Sequence, residues 1–258
     1  MTLLELMFAT TILVMIVGAL GAVANAVQQG YEYTEGYGTA TQHARVVIDR
    51  ITRAVNGATA NEQFPGFLVV PGYEGSWRYP DTLVVWHPSG SAANPTGLPL
   101  FSELIIYCPS LSSPNSLLEI RVPSDNRTAP AVTDQTTWAS ELQTIKTSAT
   151  AQVVTLTTYL RSCNAAISGP AKMRGAARFE SHLTPSDSQW TQYKAGTLAW
   201  NQLPWVQGIY GAQTGLRQAW LRMELQFVPG PQWTSTNTAA ARAVPFFGSA
   251  AVYFQLHQ

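Results

Sequence analysis

The sequence predicts an α+β fold, in which one long N-terminal α-helix precedes an antiparallel, β-rich globular head. Three observations carry this reading. Residues 1–27, MTLLELMFATTILVMIVGALGAVANAV, hold a single charge, Glu5. Residues 39–56 show a helical period, with Ala44, Val47, Ile48, Ile51, Ala54 and Val55 on one apolar stripe. Beyond them, short apolar or alternating runs are separated by turns containing Pro and Gly, which is the pattern of strands.

The first stretch is apolar on all sides, as a helix in lipid or inside a bundle must be. At about 1.5 Å per residue it spans roughly 40 Å, enough for a ~30 Å hydrocarbon core. A carboxylate at a bilayer centre costs roughly 2.5–3.5 kcal/mol, so Glu5 implies a task. The bland alternative places Glu5 near the interface, about 6 Å from the helix start, where it reaches water cheaply. Gly18 and Gly21 each weaken the helix by about 1 kcal/mol relative to Ala. They either give it flexibility or, with Ala19, Ala22 and Ala26, let helices approach closely. From Gln28 to Gly38 the chain turns polar, and Tyr31, Tyr33 and Tyr37 suit a membrane interface. Arg45, Asp49, Arg50 and Arg53 cover the face opposite the apolar stripe, and Asp49 and Arg53 have pair spacing. Asn56-Gly57 reads as the helix stop.

An apolar N-terminal helix opening Thr2, Leu3, Leu4, Glu5, Leu6 resembles the mature N-terminus of type IV pilins and pseudopilins. The resemblance is specific over residues 1–27 and weaker to about residue 57. It implies a prepilin peptidase that removes a short basic leader ending in Gly and N-methylates the new first residue. That residue is usually Phe, so Met1 is a less typical variant. It also implies that Glu5 pairs with the N-terminal ammonium, here Met1, of a neighbouring subunit. The helical filament so formed would be a homo-oligomer, assembled by an ATPase and a membrane platform protein. The chain would reside in the inner membrane before assembly, then in an extracellular filament or a periplasmic pseudopilus. The domains expected are 1–27, a transmembrane or filament-core helix; 28–57, its amphipathic continuation under the head; and 58–258, the head with long loops. Many pilins carry a helix-breaking Pro in this region, whereas this chain has none before Pro65. Two roles compete, a filament subunit and a minor pseudopilin; the head is larger than most major pilins carry.

The head reads as strands at Phe67–Val70, Thr82–His87, Glu103–Cys108, Leu117–Val122, Gln152–Leu160, Ala219–Val228 and Ala251–Leu256. Leu221, Met223, Leu225 and Phe227 alternate with Arg222, Glu224 and Gln226, so this run has one buried face. Trp138–Thr147 reads as a short helix. Pro88–Pro99, Ser110–Ser116, Pro123–Gln135 and Pro229–Ala243 read as loops, and Gly169–Arg217 shows the least regular pattern.

Charged residues make up 12% of the chain, with no net formal charge, which argues against a nucleic-acid surface. About 200 residues remain beyond the apolar stretch, enough for one large domain. Cys108 and Cys163 have the parity for a disulfide in an oxidising compartment. His43, His87, His182 and His257 lack metal-ligand spacing, and no cofactor is expected. No nucleophile elbow or phosphate loop is present, so no enzyme is expected; Asp81 with His87 and a serine is a combination any chain offers. Asp125, Asn126 and Asp134 match no calcium loop. Trp190, Tyr193, Trp200, Trp205 and Tyr210 form either a core or subunit contact, or a glycan platform, with the first favoured. Asn126-Arg127-Thr128 matches a glycosylation tripeptide. A helix-tethered glycan-binding or adhesin module is therefore the rival reading.

Overall fold

The computed structural model describes residues 2–166, 169–206, 211–230 and 243–258. Met1, Tyr210 and most of the predicted 229–243 loop lie outside the described residues. The helix α1 runs unbroken from Leu3 to Asn56, 54 residues, through all five of its glycines. Thr2 caps it, and Gly57 ends it by donating its N–H to the Arg53 carbonyl.

Five strands follow as an antiparallel meander whose spatial order is its chain order: β1 (Phe67–Glu74), β2 (Trp77–Trp86), β3 (Leu104–Pro109), β4 (Leu117–Arg121) and β5 (Gln152–Thr157). The β1–β2 register breaks between Val70 and Gly72, where Pro71 has no N–H to give the ladder. All six residues of β3 are buried because both faces of this sheet are covered. On one face lies α2 (Gln135–Thr147), whose Trp138, Leu142 and Ile145 pack on Val84, Trp86, Ile106 and Cys108. On the other lie α1 and a second sheet. This double cover explains the continuous apolar runs in the sequence.

The second sheet has the order β10–β9–β8, from β8 (Ala177–Thr184), β9 (Thr214–Phe227) and β10 (Val244–His257). Phe179, Leu221, Met223, Leu225 and Val252 point inward to meet Ala44, Val47, Ile51 and Val55 of α1, with Leu83, Val85 and Ile105 of the first sheet. Burying Val47, Ile51 and Val55 contributes about 1.5–3 kcal/mol each. The sheets join where Arg161 N donates to Gln226 O (2.8 Å) and Val228 N to Tyr159 O (2.9 Å).

A two-stranded ribbon, β6 (Ser162–Asn164) with β7 (Met173–Gly175), and a helix α3 (Asp187–Lys194) complete the head. Glu103 is buried and pins the 88–99 loop, accepting from Trp86 Nε1 (3.0 Å), Ala93 N (2.6 Å) and Leu100 N (3.2 Å). Buried Arg217 holds α3, donating to Pro185 O and Asp187 Oδ1, both at 2.8 Å.

The expected Cys108–Cys163 disulfide is corrected: both cysteines are free. Cys108 points into the core between the first sheet and α2, whereas Cys163 sits on the separate β6–β7 ribbon opposite Arg174. Burial pushes the Cys108 thiol up to about 11, so it is an inert core group.

The head closes on α1 at two glycines. A Cβ on Gly248 would lie 2.7 Å from Ile48 Cγ2, and one on Gly36 would lie 2.5 Å from the Pro229 carbonyl oxygen. At Gly38 a Cβ meets nothing within 4 Å. Ordinary helix propensity favours Ala over Gly by about 1 kcal/mol. We therefore expect Gly38→Ala to stabilise the full chain by up to about 1 kcal/mol. Gly36→Ala should instead destabilise it by about 1–3 kcal/mol, the cost of overpacking. Denaturant unfolding of the two variants, followed by tryptophan fluorescence, distinguishes them by the sign of the change.

Candidate assembly site

Among the described residues, none makes a contact that buries the N-terminal half of α1. The window of the helix apolar enough to cross a membrane is 0% buried, and Leu3, Leu13, Val14 and Met15 are each 60% or more exposed. Its polar atoms are largely satisfied from within. Thr10 Oγ1 donates to Leu6 O (3.0 Å) and Thr11 Oγ1 to Met7 O (2.7 Å). Glu5 turns back on its own helix start: Thr2 N donates to Glu5 Oε2 (2.8 Å), and Glu5 N to Thr2 Oγ1 (3.4 Å). This reciprocal cap satisfies two orphan backbone donors and keeps the carboxylate at the N-terminal end of the helix dipole. The second carboxylate oxygen has no hydrogen-bond partner among the described residues. Gly18 and Gly21, expected as points of flexibility or close approach, lie in regular helix with open space where a Cβ would be.

What the helix can do depends on how firmly the head holds it. Arg50 reaches from α1 to Glu119 on β4, with Nε to Oε2 at 2.6 Å and Nη2 to Oε1 at 3.1 Å. The Glu119 side chain is 4% exposed and Arg50 is 48% exposed. Burial alone would raise the Glu119 pKa; the hydrogen bonds and charge of Arg50, then Arg121, outweigh it and hold the carboxyl below its usual range. Tyr107 stands beside this pair, its phenol raised well above the ordinary value by burial and then by the Glu119 charge. The result is a bidentate clasp from the helix to the fourth strand of the first sheet. In the sequence Arg50 lies opposite the apolar stripe of the helix, and Glu119 alternates with Leu118 and Ile120, with no local pattern joining the two. Opposite charges on two elements expected to pack were the available signal.

The other expected site residues lie apart. Trp190, Trp200 and Trp205 are buried with Leu203, Phe254 and Leu256 in a third apolar cluster. Their indole N–H groups are used internally, donating to Glu62 Oε1 (3.4 Å), Gly211 O (2.7 Å) and Trp200 O (3.1 Å). They pack as part of the head's core. Asn126 is exposed and accepts from Ser102 Oγ at 3.3 Å. Asp125 is held by Arg127, and Asp134 caps α2. Asp81 pairs with Arg174 at 2.7 Å, not with a histidine. His43 lies against Tyr159 and His182 against Trp220. Among the described residues, no cluster of three or more His, Cys, Asp or Glu forms a metal site.

The geometry defines a class: a chain with one long N-terminal helix, half of it bare and membrane-length, locked by its other half to a double-sheet α+β head. Neither a protein-family model, nor a curated protein, nor a solved structure matches this chain.

The clasp generates a pH prediction. The Glu119 pKa is lowered in the folded state, so its stabilisation is full above the ordinary value of 4.5 and is lost as pH falls through the lowered value. Breaking a buried pair costs about 3–5 kcal/mol, and the half-exposed Arg50 reduces that here to about 1–3 kcal/mol. Glu119→Gln should lower stability by that amount at pH 7 and flatten the acid limb of the stability–pH curve. Chemical denaturation of the full chain in detergent between pH 3 and 7 checks both.

Proposed function

We propose that the chain is a structural subunit of a type IV pilus-like filament, assembled through the N-terminal half of α1. One observation carries the reading: residues 3–27 form a continuous apolar cylinder, clear of the head, with one carboxylate at its tip. In water this surface has no tolerable environment. In lipid it is soluble but gains nothing by meeting a neighbour, since lipid and helix are equally apolar. Assembly therefore needs close packing, for which Gly18, Ala19, Gly21 and Ala22 leave a smooth surface, and one specific polar contact.

Glu5 supplies that contact. In the isolated chain it serves only its own helix cap. In the filament its carboxylate meets the N-terminal ammonium of Met1 of an adjacent copy, and each charge offsets the other's desolvation. The clasp at Arg50–Glu119 and the tight contacts at Gly36 and Gly248 fix the head to the helix, so stacking of helices sets the placement of heads. Following the resemblance, the partners are a prepilin peptidase, an assembly ATPase and a membrane platform protein. The inner membrane holds the chain until assembly, and no catalytic role or cofactor is assigned. The head's size, with a second sheet and two helices of its own, supports a minor pseudopilin as the second reading.

Glu5→Val should leave membrane insertion unchanged and reduce recovered filaments at least tenfold. Quantitative immunoblotting of membrane and sheared-surface fractions measures both. Wild-type yields from Glu5→Val would refute the role given to this carboxylate.

A further inference from the structure

The β1–β2 hairpin, the C-terminal turn of α2 and the β6–β7 ribbon enclose an open cleft of about 530 Å3. That is within the ~300–1,000 Å3 of small-ligand sites. A second hollow of about 670 Å3 adjoins it, sharing Asp81 and Gly175. Neither belongs to the helix surface on which the filament reading rests.

Five charged side chains border the first cleft, and four of them are paired. Lys172 Nζ lies 2.6 Å from Glu74 Oε2, and Arg174 Nη1 lies 2.7 Å from Asp81 Oδ2. The Arg174 guanidinium also stacks over Tyr79, 4.7 Å from the ring centroid. The fifth, Lys146, is half-buried, and its ammonium donates one hydrogen bond, to Thr82 Oγ1 at 2.8 Å. No carboxylate lies within ion-pair distance of it among the described residues. An ammonium has three donors and is costly to desolvate without a counter-charge, so this one is set for an incoming anion.

The rim adds a second kind of contact. Tyr73 borders the cleft with 56% of its surface exposed, so its ring face is open to a ligand. Gln143 adds an exposed amide as a neutral hydrogen-bonding group, whereas the Ser110 hydroxyl is held by Ser112 Oγ and Ser113 N. A ring face for the C–H side of a sugar, an amide for its hydroxyls and a cation whose one partner is a hydroxyl, itself donating to Asp81 Oδ1 at 3.1 Å, are the complement of an acidic saccharide. We propose that this cleft binds an acidic oligosaccharide, with a uronate carboxylate on Lys146 and a sugar ring against Tyr73. The adjoining hollow gives further sugar units room to continue.

The test is calorimetric titration of the full chain in detergent micelles with tetragalacturonate, using maltotetraose and tetraglutamate as comparisons. Saturable binding of tetragalacturonate is expected, at least tenfold tighter than either comparison and weakened by added salt. Lys146→Met and Tyr73→Ala should each weaken it tenfold or more without moving the unfolding midpoint, and Lys146→Arg should keep it within threefold. Absence of saturable binding, undiminished binding by Lys146→Met, or equal affinity for tetraglutamate would each overturn the proposal. Filament yield does not enter any of these readouts, so the proposal and the filament reading fail separately.

Discussion

A helix can hide its apolar surface only where something packs against it, and the head of this protein reaches only half of α1. From Ala40 onward the head supplies that cover, through Ala44, Val47, Ile51 and Val55 against two sheets. Before Gly36 the described residues of the head supply none. The uncovered length is membrane-sized and, past Glu5, without charge until the polar belt at Tyr31–Tyr37. The filament reading follows from that asymmetry: a surface this apolar must lie in lipid or among similar surfaces.

The asymmetry would be of little use if helix and head moved independently. The junction is built against that. The amphipathic stripe inserts between the sheets, glycines at positions 36 and 248 permit backbone-close contact, and Arg50 locks onto a nearly buried Glu119. The ion pair spans two elements distant in sequence, so it fixes the rotation of the helix about its own axis as well as its depth. Asn56 adds a last tie, its Oδ1 accepting from Ala251 N of β10 at 3.4 Å. A rotation fixed in this way presents the same head face at each step of any assembly built on the helix.

Much of this was legible in the sequence, for identifiable reasons. The unbroken apolar run and the three- and four-residue spacing of Val47, Ile51 and Val55 read directly as one helix. Strands buried on both faces, such as Leu104–Pro109, announced themselves as uninterrupted apolar runs. Between Ser162 and Lys194 the β6–β7 ribbon, β8 and α3 were missed, although the last two carried a signal. In β8, Ala177, Phe179 and Leu183 alternate with Arg178, Glu180 and His182. In α3, Ser186 and Gln189 form a capping box, Ser186 Oγ accepting from Gln189 N at 3.2 Å. The ribbon β6–β7 is three residues a side, too short for any period to show. The disulfide expectation failed because parity says nothing of direction: Cys108 faces the core that α2 covers. The clasp and the Lys146 cleft are assembled from residues tens of positions apart, and no local pattern encodes such a meeting.

Electron cryomicroscopy of surface-sheared material from cells producing the chain tests the central claim most directly. The account predicts filaments in which residues 3–27 of each copy are surrounded by the same residues of its neighbours, with the Glu5 carboxylate at the next chain's N-terminal amine. A chain recovered only as single copies, each with its apolar helix in lipid and Glu5 in water, would contradict it.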